Sequence, residues 1–372
     1  MASPFFYDNP LAPADMVARD PALGDLVDRI LALRNSRVEG PRRFGKTSLV
    51  QAALAQAEKQ GAVTVYVNFL GVLTVADVAE RIDRAYSRQL DGPLRRWFDG
   101  VLRTWRPSFT AAPGGVGVST SPRADHGGLL DRLALPVRLA ERQASRSAIV
   151  FDEFQELVRI GDHLPGVFRS ELEQHSDVAA YVFTGSHPGL MRDLFADRRH
   201  AFFAQAAPIP LGPLPADVLA DFLTARFAEH AGRDPGEALG PLLDLARGHP
   251  QRAMLLAHHL FERTAPRTTA TAETWQRACT RTFTELSGEM AAAWASFSDL
   301  ERRVLAAIAD EGVTLNGADA RARYGLAKSA SNAVAAERLW AAGHLVEAPT
   351  PTRWKVTDPL LRLWVAGGRS WP

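Results

Sequence analysis

The stretch GPRRFGKTSLV, residues 40–50, decides the fold. It fits the pattern Gly-x-x-x-x-Gly-Lys-Thr, in which glycines let the backbone curl so that successive N–H groups point at a phosphate. A helix beginning near Lys46 would add free N–H groups and a partial positive charge. We therefore expect Lys46 to reach the β- and γ-phosphates of a nucleotide and the Thr47 hydroxyl to bind Mg²⁺. The remaining loop residues expected around the nucleotide are Gly40, Pro41, Arg42, Arg43, Phe44, Gly45 and Ser48.

A second stretch, SAIVFDEF at residues 147–154, is an apolar run that ends in an acidic pair. Ligands bind at the carboxyl ends of parallel strands, and an acidic pair there suits a metal-dependent nucleotidase. We expect Asp152 to hold Mg²⁺ through water and Glu153 to polarise the attacking water. These residues support the phosphate-loop interpretation. The segment before the loop is a poor strand by its sequence, because it has Arg37 and Glu39 at positions that are usually apolar.

A third stretch, YVFTGSHPGLM at residues 181–191, places a small hydroxyl at the end of another strand. Ser186 is expected beside the γ-phosphate and the metal-bound water, in a sensor position. Gly-Ser is also common turn chemistry, so this signal depends on the other two.

The order of the patterns predicts an α/β fold with three parts. Short apolar strands alternate with helices in the first half, which is typical of a parallel sheet covered by helices on both faces. One helix is expected over 129–143 and a loop over 109–128. Residues 1–213 are predicted to form this α/β phosphate-loop domain, 214–294 a helical lid, and 295–372 three helices with a hairpin, the order of a winged helix-turn-helix.

Composition narrows the functional class. The chain has 372 residues, a formal net charge of +1 and one cysteine, Cys279, which excludes an internal disulfide and a multi-cysteine zinc site. Neither a secretory leader nor an apolar run of membrane-spanning length is visible, so a soluble cytoplasmic protein without membrane contact is expected. The ten histidines lack metal-binding spacing. His258 and His259, within an apolar helical stretch, are expected in a core or boundary role.

The three stretches, in this order, resemble the archaeal-type ATPase family in the AAA+ and STAND branch of P-loop NTPases. Further segments are similar to motifs of that family along nearly the whole chain. They are an N-terminal arginine box (MVARDPALGDLVDRI, 16–30), the double-arginine loop, FDEFQEL (151–157), GHPQRA (248–253) and a closing Asp-Pro motif (TDPLLRLW, 357–364).

This resemblance implies ATP and Mg²⁺ as ligands and assigns further residues. Arg19 would border the adenine, and Pro250 and Arg252 would line the nucleotide from the lid. Lys46, Glu153 and Ser186 would form the catalytic set, with Thr47 and Asp152 on the metal. Some relatives carry a basic residue where this chain has Ala204 and Gln205, so Arg198 or Arg199 would have to act as an arginine finger, and slow hydrolysis is expected.

Two uses of such a nucleotide switch are open at this stage. In the first, residues 296–372 contact duplex DNA, with Lys328, Ser329, Ser331, Asn332 and Arg338 as the available groups. In the second, the C-terminal unit packs on the ATPase or on a protein partner, and the switch gates that partner or self-assembly. The segment 81–106 interleaves arginines with aromatic residues, but its apolar positions follow a helical period, which favours a core role.

Overall fold

One parallel sheet forms the centre of the molecule. The computed structural model describes residues 3–9, 11, 15–105, 122–143, 145–311, 313–350 and 352–371. Within them, the sheet has the order β2-β3-β4-β1-β5, and all its pairings are parallel. This agrees with the predicted α/β class. The strands are β1 (Ser36–Glu39), β2 (Val63–Asn68), β3 (Ser147–Asp152), β4 (Ala179–Thr184) and β5 (Ala207–Pro210).

Helices cover both faces of the sheet because successive strand residues point to opposite sides. Val182 packs in the core beneath the first two helices, whereas its neighbours Tyr181 and Phe183 pack in the larger core on the opposite face. The helices of this part are α1 (Asp20–Leu31), α2 (Lys46–Lys59), α3 (Val75–Gln89), α4 (Gly92–Trp105), α5 (Pro122–Leu133), α6 (Leu135–Gln143), α7 (Glu156–Ile160), α8 (Leu164–Leu172) and α9 (Pro188–Ala196).

β1 forms despite its two charged side chains. Ser36 and Val38 are buried, and the alternate residues Arg37 and Glu39 pair with each other, with Arg37 Nε 2.5 Å from Glu39 Oε1. The Arg37 guanidinium also lies 5.6 Å from the centre of the Phe195 ring. Satisfied charges on one side of the strand therefore allow it to lie between β4 and β5.

The structure corrects one helix and part of one loop. The helix expected over 129–143 is two helices, α5 and α6, because the chain turns at Ala134 shortly before Pro136. The loop expected over 109–128 is helical from 122 onward, as the start of α5, and its remainder lies outside the described residues. Trp97 and Phe98 of α4 pack against the sheet core, as the helical period of 81–106 indicated.

A second group of helices follows the sheet. Its core contains Leu219, Leu223 and Phe227 together with Phe5 and Val17 from the N-terminal segment. The N-terminal segment is thus part of this core although it is distant in sequence. The helices are α10 (Ala216–Glu229), α11 (Leu239–Ala246), α12 (Pro250–Arg263) and α13 (Ala272–Ser296).

The C-terminal unit has its own core, and α13 belongs to both. Ala278 of α13 packs in the core of the second group of helices, whereas Phe283, Leu286 and Met290 pack with the C-terminal elements. These elements are α14 (Asp299–Ala309), α15 (Ala318–Tyr324), α16 (Ser331–Ala341), the antiparallel pair β6 (Leu345–Glu347) and β7 (Trp354–Val356), and α17 (Pro359–Ala366). The domain boundaries at 213 and 294 stay a prediction. No helix among the described residues combines the length and apolar character needed to cross a bilayer.

Candidate functional site: a phosphate-loop cavity

A cavity of about 300 Å³ brings together most of the predicted site residues. It lies where α2 begins and where β3 and β4 end, and α12 and the N-terminal segment close its other side. The predicted residues that line it are Arg19, Arg42, Arg43, Phe44, Gly45, Lys46, Thr47, Ser48, Asp152, Glu153, Ser186 and Pro250.

The loop around Lys46 is folded back on itself. Gly45 has a φ of +87°, a left-handed conformation that a glycine adopts without strain, and α2 begins at the next residue. Lys46 Nζ donates hydrogen bonds to the carbonyl oxygens of Gly40 and Pro41, both at 2.8 Å. Burial lowers the pKa of Lys46 to about 8, although Glu153 and Asp152 oppose this shift. A bound phosphate would supply the negative charge that this buried ammonium lacks.

The Asp152 carboxylate is fixed by donors from neighbouring strands. Thr184 Oγ1 donates to Oδ1 at 2.5 Å, Asn68 Nδ2 donates to Oδ2 at 3.2 Å, and the Tyr66 hydroxyl also donates to Oδ2. Burial, followed by the charge of Asp152, raises the pKa of Tyr66. Thr47 and Asp152 line the same cavity, and their oxygen atoms are the hard donors that Mg²⁺ prefers.

Ser186 holds the Glu153 carboxylate. The Ser186 hydroxyl donates to Glu153 Oε2 at 2.8 Å, the Ser186 backbone N–H at 3.2 Å, and Gln155 Nε2 at 2.5 Å. Gly185 makes this packing possible, since a Cβ at that position would lie 2.1 Å from Gln155 Oε1. The predicted catalytic carboxylate and sensor are thus in direct contact.

Arg19 and Phe44 connect the phosphate loop with other segments around the cavity. Arg19 Nη2 donates to the carbonyl oxygens of Phe44, at 3.3 Å, and Gly212, at 2.8 Å. The Phe44 ring packs edge-on against His249, with centroids 4.8 Å apart. Arg19 therefore connects the phosphate loop with the segment after β5, and Phe44 connects it with the start of α12.

For Arg252 the structure corrects the expectation of a nucleotide contact. Its side chain is fully buried, and it pairs with Asp358 and Glu289 rather than facing the cavity. Glu289 in turn accepts from the loop residue Arg43, with Nη1 and Nη2 at 2.5 and 3.2 Å. Burial alone would raise the pKa values of Glu289 and Asp358, but their arginine partners outweigh it and lower both. Consecutive salt bridges thus connect the phosphate loop, through α13 and α12, with the C-terminal unit.

The C-terminal unit also contacts the segment that follows Ser186. Gly189 of α9 packs against Ala341 at the end of α16, and the Arg192 guanidinium lies 4.3 Å from the centre of the Trp340 ring. A Cβ added at Gly343 would lie 3.5 Å from the Ser186 carbonyl oxygen, in van der Waals contact. The end of α16 therefore packs against the segment that follows Ser186.

The two arginine-finger candidates lie away from the cavity. Arg198 and Arg199 are exposed in the turn after α9, and Arg199 is paired with Asp197. The sequence did not indicate Tyr66, Gln155 or Glu289 as site residues. Asn68 could have been found, because it ends β2 in register with Asp152 at the end of β3.

Comparison with solved structures shows that the chain has an α/β P-loop fold that it shares with proteins of archaea. The chain is similar to a Walker-type ATPase of Pyrococcus abyssi, with a TM-score of 0.70 and 18% identity over 97% of this chain and 99% of that one. It is also similar to the ORC2 protein of Aeropyrum pernix, with a TM-score of 0.60 and 17% identity over 98% and 97% of the two chains. The ORC1 protein of the same organism, in complex with DNA, gives a TM-score of 0.50 and 18% identity over 95% and 92%.

These likenesses confirm, at the level of the fold, the resemblance that the motifs indicated. No protein-family model and no curated protein matches the sequence.

Proposed function

We propose that this chain is an ATP-binding, Mg²⁺-dependent ATPase that acts as a nucleotide-driven switch. The observation that carries the proposal is the convergence of Lys46, Asp152 and Glu153 on one cavity. Lys46 is more than a hundred residues away in sequence from the adjacent pair Asp152 and Glu153. Each of the three has the chemistry of one requirement of phosphoryl transfer: a cation, a metal anchor and a carboxylate that orients water.

Thr47 and Asp152 would hold the magnesium ion, which supplies charge neutralisation at the phosphates when bound. Lys46 would exchange its bonds to the loop carbonyls for bonds to phosphate oxygens. Glu153 would accept a hydrogen bond from the attacking water, while Ser186 keeps its carboxylate in position. We expect slow turnover, because neither Arg198 nor Arg199 lies in the cavity of its own chain.

The switch is supported by two contacts between the nucleotide site and the C-terminal unit. Arg43 reaches the C-terminal Asp358 through Glu289 and Arg252. Phosphate oxygens would compete with Glu289 for Arg43 and so alter the pairing of Arg252. In addition, the end of α16 rests on the segment that begins with Ser186. A change at the γ-phosphate would therefore bias the position of the C-terminal unit through both contacts.

The partner of the switch has two candidates. DNA is one, and the DNA complex of the ORC1 neighbour supports it. A protein partner or a second copy of the chain is the other, and the packing of α16 on α9 supports it. Asn332 is withdrawn as a DNA contact, because it is buried and its Nδ2 donates to the carbonyl oxygens of Leu315, at 3.3 Å, and Ala327, at 2.8 Å.

Two substitutions test the nucleotide site. Lys46→Ala removes the phosphate-binding cation and should abolish ATP binding, measured by titration calorimetry. Glu153→Gln should keep binding and lose phosphate release by at least about a hundredfold, since it removes the residue that orients the water. Lys59→Ala and Glu58→Gln, exposed at the end of α2, are the respective matched controls and should behave like the wild type. Retained turnover in Glu153→Gln would reject the role of Glu153.

A further inference from the structure

Two histidines and a glutamate cluster on α12, away from the phosphate-loop cavity. Among the described residues, His258, His259 and Glu262 form a group in which one ligand atom from each lies within 4.8 Å of the others. The proposed ATPase chemistry does not use them. Their hydrogen bonds show which ring nitrogens are free to bind a ligand.

The partner of His258 fixes its tautomer. His258 Nδ1 lies 3.3 Å from the carbonyl oxygen of Phe5, which can only accept a hydrogen bond, so Nδ1 carries the proton. The lone pair is then on Nε2, which lies 3.4 Å from Glu262 Oε1.

The partner of His259 fixes the opposite tautomer. His259 Nε2 lies 3.0 Å from Glu285 Oε2, so Nε2 donates to this carboxylate and the lone pair is on Nδ1. The residue is 3% exposed, and its Nδ1 has no hydrogen-bond partner within the described part of the chain. This Nδ1 lies 3.8 Å from Glu262 Oε2. A buried nitrogen lone pair without a donor is a costly arrangement that a bound cation would relieve.

We propose that His258 Nε2, His259 Nδ1 and the Glu262 carboxylate bind a zinc ion. Two imidazole nitrogens and one carboxylate, with a water as fourth ligand, form a common zinc donor set. Bonds of about 2.0–2.2 Å in a tetrahedron place neighbouring ligand atoms about 3.4 Å apart, close to the separations of both histidines from Glu262. The Glu262 side chain is 49% exposed, which leaves the water position open to solvent.

The surroundings have the outer layer of hydrogen bonds that orients zinc-binding histidines. The Phe5 carbonyl and Glu285 accept from the ring nitrogens that face away from the ion, and Glu285 also accepts from the Tyr7 hydroxyl at 3.1 Å.

The ion would join the N-terminal segment to the lid. Tyr7 lines the phosphate-loop cavity and contacts both the His258 ring and Glu285, which belongs to α13. Zinc at this position would therefore stabilise the N-terminal segment against α12 and α13. This role is independent of whether the chain hydrolyses ATP.

Zinc titration of the full chain, without a histidine tag and after removal of metals with a chelator, tests the proposal. We expect the wild type to bind one equivalent of zinc by calorimetry and to gain thermal stability from it. Glu262→Gln changes a half-exposed residue and should fold normally, bind zinc at least about tenfold more weakly, and lose the stabilisation. Glu285→Gln should also weaken binding about tenfold or more, as an orienting partner.

His200→Ala and Glu229→Gln, at exposed positions elsewhere, are matched controls that should bind zinc like the wild type. The proposal is overturned if the wild type binds no zinc, or if Glu262→Gln binds it with unchanged affinity. Either result would leave the proposed ATPase function intact, because Lys46 and Glu153 are tested separately.

Discussion

Glu153 has a φ of +54°, in the left-handed region that residues other than glycine rarely adopt. Such a conformation costs on the order of 1–3 kcal/mol and persists where the surroundings fix it. Here Ser186 and Gln155 hold the carboxylate. The strain therefore coincides with the side chain that we propose orients the attacking water.

At this scale the sequence predicted residue types better than residue contacts. Lys46, Thr47 and Asp152 could be identified because their spacing and their place after apolar runs are local properties. Tyr66 and Glu289 could not, because their roles depend on sheet register and on the packing of α13 against the phosphate loop. Arg252 was placed wrongly for the same reason: its partner Asp358 is more than a hundred residues away in sequence.

The buried His249 leads to a prediction about pH. Burial lowers its pKa from 6.5 to about 4, Arg252 and Arg43 lower it further, and Asp358 opposes them. As the pH falls below 6.5, the unfolded chain gains a proton that the folded chain does not accept, so the free energy of unfolding decreases. The loss from this residue is about 2 kcal/mol at pH 5.

The variant His249→Asn removes this titration and keeps a side chain that can cap α12. Between pH 7.5 and pH 5, denaturant unfolding should therefore show a loss of stability about 2 kcal/mol smaller in the variant than in the wild type. Equal losses in the two proteins would show that His249 is protonated in the folded state.

At the scale of the elements, the contact between α9 and α16 depends on a glycine, Gly189, which has no side chain. A Cβ at Gly189 would lie 2.5 Å from Ala341 Cβ, closer than real Cβ atoms approach one another. The sequence predicted α16 and the strand that ends at Ser186, but not that these distant elements meet. A pattern of apolar positions indicates that a face is buried without indicating its partner.

Gly189→Ala should therefore loosen the C-terminal unit from the sheet domain. We expect faster hydrogen exchange in α16 and in residues 186–190, and a stability loss of about 1–3 kcal/mol from overpacking. Gly240→Ala, in α11 with nothing within 4 Å of the added Cβ, is the matched control and should be neutral or slightly stabilising. Unchanged exchange in α16 of Gly189→Ala would contradict the role of this contact.

For the whole molecule, the sequence indicated the class of fold, because alternating strands and helices with a phosphate loop allow few topologies. It did not indicate how the three parts are joined. Those contacts involve Glu289 and Asp358, whose charges alone would be expected on a solvated surface, and Arg43 and Arg252, which were expected from the sequence at the nucleotide. The binding partner depends on exposed surface residues, which the class of fold does not determine.

Lys328 and Arg338 are exposed and distinguish the two candidate partners. If the switch acts on DNA, the wild type should bind a duplex with an affinity that falls with salt. The double variant Lys328→Ala/Arg338→Ala should then reduce the log–log salt slope by about 2, one phosphate contact for each lost cation. Arg277→Ala/Arg281→Ala, exposed on α13, is the matched control. Absence of duplex binding, with a nucleotide-dependent change in particle size, would favour a protein partner or self-assembly.

The helix α13 has 25 residues and is therefore about 37 Å long. Ala278 packs in one apolar core and Met290 in another, so the two cores share one continuous helix. Glu289, which accepts from Arg43 of the phosphate loop, is the residue immediately before Met290. A displacement of Arg43 by phosphate would thus act on this helix within one turn of its contacts with the last eighty residues, with no loop between them.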